Sequence, residues 1–153
     1  MYPTHYFLVL YIALATACFV VSLSDIRERI IKNSHVSVIA VLAIAIGIAD
    51  FSLSSLWVLG ICWSALLFLH VIRILGGGDV KLIAAFSLSL PNQGLLEALI
   101  FVGIYGGILA VTYLILPRPS HVTGEGKKSQ IGLPYGVAIC CGFYTALLLK
   151  TSV

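Results

Sequence analysis

The sequence predicts an all-α fold: a polytopic membrane helix bundle of about six transmembrane segments, with both termini on the outer, periplasmic side. Three observations carry this expectation. The chain of 153 residues is 60% hydrophobic and only 10% charged, and its mean hydropathy of +1.09 lies far above that of soluble globular chains. Charge-free apolar runs recur along its whole length. The basic residues, counted across those runs, fall almost entirely on one side. No internal repeat or linker divides the chain, so residues 1–153 read as a single integral membrane domain.

A hydrocarbon core of about 30 Å asks for roughly 20 helical residues, fewer where the bilayer thins. The apolar runs place the spans at about Tyr6 to Ser24, His35 to Ala49, Phe51 to Ile72, Val80 to Leu90, Ala98 to Leu116 and Ile131 to Leu149. The first follows a start without Lys or Arg, so Ala15-Thr16-Ala17 reads as part of a retained helix rather than as a signal-peptide cleavage site. The fourth is the weakest, because eleven residues rise only about 16 Å before Pro91-Asn92-Gln93-Gly94 breaks the helix. Alternating crossings put Arg27, Arg29, Lys32, Arg73, Lys81, Arg118, Lys127 and Lys128 together and leave Lys150 opposite. The positive-inside rule makes the first side cytoplasmic, and it requires the short fourth segment to cross. Trp57 reads as an interfacial belt residue and Trp63 as packing.

Several function classes are disfavoured. The net charge of +3 is scattered and forms no basic stripe for nucleic acid. Cys18, Cys62, Cys140 and Cys141 sit in apolar runs without a CxxC pair, and His5, His35 and His121 do not cluster, so neither a metal nor a cofactor is expected. The polar stretch "RPSHVTGEGKKSQ", which holds Glu125, reads as a cytoplasmic connector touching anionic lipid.

Acids are scarce, three Asp and three Glu in all. Asp25 ends the first span and Asp79 follows the third, so two crossings separate them and both belong at one membrane face. Asp50 and Glu97 fall at the other. Singly, Asp25 is a juxtamembrane charge balanced by Arg27 and Arg29, and Asp79 is an N-cap of the fourth helix preceded by a glycine turn. Two acids near one hydrocarbon edge are costly, and together they suggest a shared-proton pair. Such a pair performs aspartyl-protease chemistry: the charged member takes a proton from attacking water and the protonated one supplies a proton to the carbonyl oxygen. In "RILGGGDVKL", Gly76, Gly77 and Gly78 are expected to form an irregular, side-chain-free segment that admits an unwound substrate next to Asp79.

Three stretches then carry a resemblance. Gly76-Gly77-Gly78-Asp79 matches the GxGD signature of intramembrane aspartyl proteases, and "GGGDVKL" looks like the form found in bacterial type IV prepilin peptidases. Asp25 to Asn33, "DIRERIIKN", is similar to that family's D-x-R-x-x-x-I-P-N motif, with Lys32 in place of proline. "LPYGVAI", Leu133 to Ile139, resembles the family's P-Y-G-x-A segment. The resemblance implies catalytic Asp25 and Asp79, with Gly76, Gly78, Lys81, Arg27, Asn33, Pro134, Tyr135 and Gly136 in supporting motifs.

Each supporting residue has a plainer reading: Lys81 and Arg27 as lipid anchors, Asn33 as a helix N-cap, Pro134 as a first-turn proline. Tyr135 and Gly136 could bring the last helix close to the acids. His70 and Arg73 read as interfacial. The chain looks most like the compact tight-adherence (Flp) pilus branch, which implies cleavage of Flp-type prepilin and pilin-like leaders at the inner-membrane cytoplasmic face. Without a region of paired CxxC motifs, cleavage without N-methylation is expected. A small proton- or ion-coupled transporter and an inactive pilus-assembly scaffold remain the alternatives.

Overall fold

A computed structural model describes residues 4–90, 93–116 and 133–152. Six α-helices follow one another: α1 Thr4–Glu28, α2 Asn33–Gly47, α3 Leu53–Val71, α4 Gly77–Ser87, α5 Gln93–Ile115 and α6 Tyr135–Ser152. A short 3-10 turn, Ile48–Asp50, closes α2, and no strand occurs among the described residues. The connector with Arg118, His121, Glu125, Lys127 and Lys128 lies outside the described residues, as do Pro91, Asn92 and Ile131.

The helices α1, α3 and α5 are long and apolar enough to cross a bilayer, while α2 and α6 are shorter apolar helices. Their outward faces carry large hydrophobic side chains, among them Leu114 at 85%, Leu53 at 81% and Trp57 at 76% exposure. Such a surface is stable in lipid and would aggregate in water. The chain is a helical membrane protein.

The sixteen-ångström helix survives because protein surrounds it. α4 packs against α2, α3 and α6, and Val80, Leu82, Ile83, Ala85, Phe86 and Ser87 are all buried. A helix apolar on every side belongs in a core. Phe86 stacks on Phe143 of α6 with ring centroids 5.1 Å apart, and the Trp63 indole of α3 donates to Ser87 Oγ at 3.0 Å. Trp63 thereby ties the end of α4 to α3, but at 41% exposure it is not the packed residue that was expected.

Contacts along the helices fix their directions. Gly142 of α6 lies against Val102 of α5, and Gly106 of α5 lies against the Tyr135 hydroxyl at the start of α6, so α5 and α6 are antiparallel. Lys150 near the end of α6 forms an ion pair with Asp50 after α2. The start of α5 therefore faces the Asp50 end, and α4 has carried the chain there from the Asp79 end. Asp50 and Lys150, placed together by the charge pattern, are ion-paired.

The observed helices differ from the expected spans at both ends of the bundle: α5 starts at Gln93, five residues before the expected Ala98, so Gln93 and Gly94 belong to a helix rather than to a break. α1 runs on through Asp25 to Glu28, since nothing in Asp25-Ile26-Arg27-Glu28 breaks a helix. α4 starts at Gly77, three residues before the expected Val80. Arg29 (φ 52) and Arg73 (φ 62) close the turns after α1 and α3 in the left-handed region, where a side chain costs roughly 1–2 kcal/mol.

Glycine sets the closest approaches. A Cβ on Gly142 would lie 2.6 Å from the Val102 backbone nitrogen, so Gly142→Ala must push α5 and α6 apart. Its expected cost is about 1–3 kcal/mol, read as a lower midpoint of thermal unfolding in detergent. Gly103→Ala on α5, where nothing lies within 4 Å, is expected to leave the midpoint unchanged or raise it.

Candidate active site

Asp25 lies on the last turn of α1, at the interface with α6. The residue is only 6% exposed. Its burial is compensated from the start of α6, where the Gly136 N–H donates to Asp25 Oδ2 at 2.7 Å. The first N–H groups of any helix lack intrahelical acceptors and sit at the positive end of its dipole. They form a ready site for a carboxylate. The Arg29 guanidinium also acts on the Asp25 charge, whereas Arg27 is exposed on the same turn.

Sequence explains why this approach is achievable. Buried Pro134 immediately precedes α6, so it stands one position ahead of the expected first turn. Gly136 then leaves an empty Cβ position, which the Asp25 carboxylate fills: a Cβ there would lie 2.7 Å from Oδ2 and 3.1 Å from Cγ. Tyr135 is directed towards α5, with its hydroxyl over Gly106. Gly106 was not singled out by the sequence reading, because a glycine inside an apolar run gives no sign of the tyrosine it accommodates.

Asp79 lies in the first turn of α4. Gly76 is the N-cap, in extended conformation at φ −66 and ψ 145, so Asp79 is the third helical residue. This corrects the expectation that Asp79 itself caps the helix. From that position the carboxylate folds back on Gly76, with Oδ2 2.9 Å from where a Cβ there would stand. Asp79 is close enough to Asp25 for the two charges to repel.

The triple glycine also differs from the sequence reading. No described glycine has positive φ, and Gly77 and Gly78 are helical rather than part of an irregular segment. What the three positions supply is space, and the protein's own side chains use it. A Cβ on Gly76 would meet Asp79 Oδ2 at 2.9 Å, one on Gly77 would meet His70 Cε1 at 3.3 Å, and one on Gly78 would meet Ile31 Cβ at 3.3 Å.

Lys81 and Asn33 are joined to each other. The Lys81 ammonium donates to Asn33 Oδ1 at 3.2 Å, tying the first residue of α2 to α4. The N-cap of α2 is Lys32, so Asn33 is the first helical residue and not the expected cap, and its side chain serves this cross-link. Lys32 pairs with Glu28 at 3.0 Å.

Among the described residues no group of three His, Cys, Asp or Glu side chains converges as a metal site would require. The chemistry on offer is that of two like-charged carboxyls at one end of the bundle. Such a pair resists joint ionisation and can share a proton.

The link between Asn33 and Lys81 is testable by a double-mutant cycle. Asn33→Leu and Lys81→Met are each expected to lower stability by about 0.5 kcal/mol. The double variant should cost no more than either alone, as measured by thermal unfolding in detergent.

Comparison with known families returns one match: the type IV leader peptidase family, over residues 12–111. That span contains Asp25, Asn33, the glycine run, Asp79 and Lys81, and it stops short of Pro134-Tyr135-Gly136. No curated protein and no solved structure matches the chain significantly. With about two thirds of its length matched, and with two acids converging at one end of a membrane helix bundle, the chain belongs to the type IV leader peptidase family.

Proposed function

We propose that this protein is a membrane-embedded aspartyl endopeptidase that removes the leaders of type IV prepilins and pilin-like proteins of the Flp type. The observation that carries the proposal is the convergence of Asp25 and Asp79, from helices α1 and α4, next to the N-terminus of α6. Family membership supports the peptidase class. Arg27, Arg29, Lys32, Arg73 and Lys81 lie at or beside the acid-bearing end and Lys150 at the other. This bias supports an acid pair facing the cytoplasm from the inner membrane. Cleavage without N-methylation of the new terminus is part of this proposal.

The hydrogen bonds suggest how the two acids divide the work. Asp25, with the Gly136 N–H donated to it at the positive end of α6, is the carboxylate. Asp79, repelled by that charge, holds the proton. Asp25 takes a proton from water as its oxygen bonds to the scissile carbonyl carbon, and Asp79 gives its proton to the carbonyl oxygen. The resulting gem-diol collapses as the C–N bond breaks. Asp25 returns its proton to the leaving nitrogen, one diol hydroxyl returns a proton to Asp79, and a carboxylic acid and an amine leave. Water, substrate and two carboxyls balance the cycle.

Asp25→Asn and Asp79→Asn are each expected to lower prepilin processing by at least about a hundredfold while the protein still accumulates in the membrane. Coexpression with a Flp-type prepilin and mass measurement of the pilin reads this out. Full processing by either variant would sink the dyad.

Gly136→Ala drives a methyl group into the Asp25 carboxylate, and a displacement of about 1 Å can cost as much as a hundredfold in rate. The expected result is a large fall in kcat together with a lower midpoint of thermal unfolding, since the displaced carboxylate loses the N–H that offsets its burial.

A further inference from the structure

The peptide unit between Leu75 and Gly76 is held from one side and met from the other. Its C=O lies 3.1 Å from His70 Nδ1, and because a carbonyl can only accept, Nδ1 carries the hydrogen. On the other side the Asp79 carboxylate folds back on Gly76, with Oδ2 2.9 Å from where a Cβ would stand. Since a peptide group is planar and rigid, fixing the direction of its C=O fixes the plane that the carboxylate rests against.

The connection between α3 and α4 leaves this one group to be set by a side chain. The N–H groups of Arg73, Ile74 and Leu75 all return to His70 and Leu69 carbonyls at the end of α3. The His70 ring lies against Gly77, where any side chain would displace it. Gly77 and His70 therefore explain each other: the glycine admits the ring, and the ring reaches the carbonyl one peptide ahead of the helix.

We propose that His70 is a positioning residue for Asp79, acting through the Leu75–Gly76 peptide group. Its imidazole does not meet substrate. It fixes the peptide plane that the carboxylate rests against, so its loss lets that plane turn and frees the Asp79 side chain from its working rotamer. This role rests on the peptidase reading for its consequence in catalysis, although the clamp itself is a property of the folded chain.

The test compares wild type with His70→Ala, His70→Asn and His70→Gln in lipid nanodiscs. Asparagine can place an amide donor where Nδ1 stands, whereas glutamine extends its donor towards the position of Nε2. His70→Ala and His70→Gln are expected to lower kcat for prepilin cleavage about tenfold with KM unchanged, and His70→Asn to recover most of the loss. In parallel, amide hydrogen exchange over residues 73–79 should accelerate in the alanine and glutamine variants and stay near wild type in the asparagine variant. Wild-type kcat and exchange in His70→Ala would overturn the proposal, as would an asparagine variant as impaired as alanine. The exchange measurement needs no substrate. A wild type that cut no prepilin would refute the peptidase reading while exchange still decided the clamp.

Discussion

A carboxylate at the edge of a hydrocarbon core must be given polar partners, and in this protein the partner of Asp25 is the first turn of a helix more than a hundred residues later in the chain. The bond from the Gly136 N–H fixes how closely α6 approaches α1 and at what height. Much else is set by that contact. Pro134 ends the incoming segment at the level of Asp25, Gly136 removes the obstructing side chain, and Phe143, two turns further on, meets Phe86 of α4. The depth at which α6 sits therefore also positions the helix bearing Asp79.

The two acids are held by similar devices, both built from the backbone at helix starts. Asp25 takes the Gly136 N–H of another helix, while Asp79 lies back against the N-cap glycine of its own. In both cases the backbone at a helix start sets the position of the carboxyl. Arg29 acts on Asp25 electrostatically, and the Lys81 ammonium is bonded to Asn33. Asn33 and Lys81 instead join α2 to α4 beside the site, so these motif positions serve the frame that carries the acids.

Much of this was legible in the sequence because the bilayer imposes simple rules. Charge-free length gave six helices, and charge sidedness placed Asp25 with Asp79 and Asp50 with Lys150. What escaped was decided by local backbone geometry. Gly76 to Gly78 read as a helix breaker, since glycine disfavours helix, yet tertiary contacts with His70 and Ile31 outweigh that preference and the helix begins at Gly77. Asn33 looked like a cap until its side chain proved to be committed to Lys81. His70 looked interfacial because its partner is a main-chain carbonyl, which leaves no mark in a one-dimensional pattern.

The late position of Gly136 has a consequence for biosynthesis. As the chain emerges from the ribosome, both carboxylates are complete long before the helix whose amides receive Asp25. Until that helix enters the bilayer, α1 ends in an acid with no amide donors to offset its desolvation, and it has no reason to settle at its final depth. Insertion of α6 is thus the step that completes the hydrogen bonding of Asp25 and brings the two acids to their final geometry.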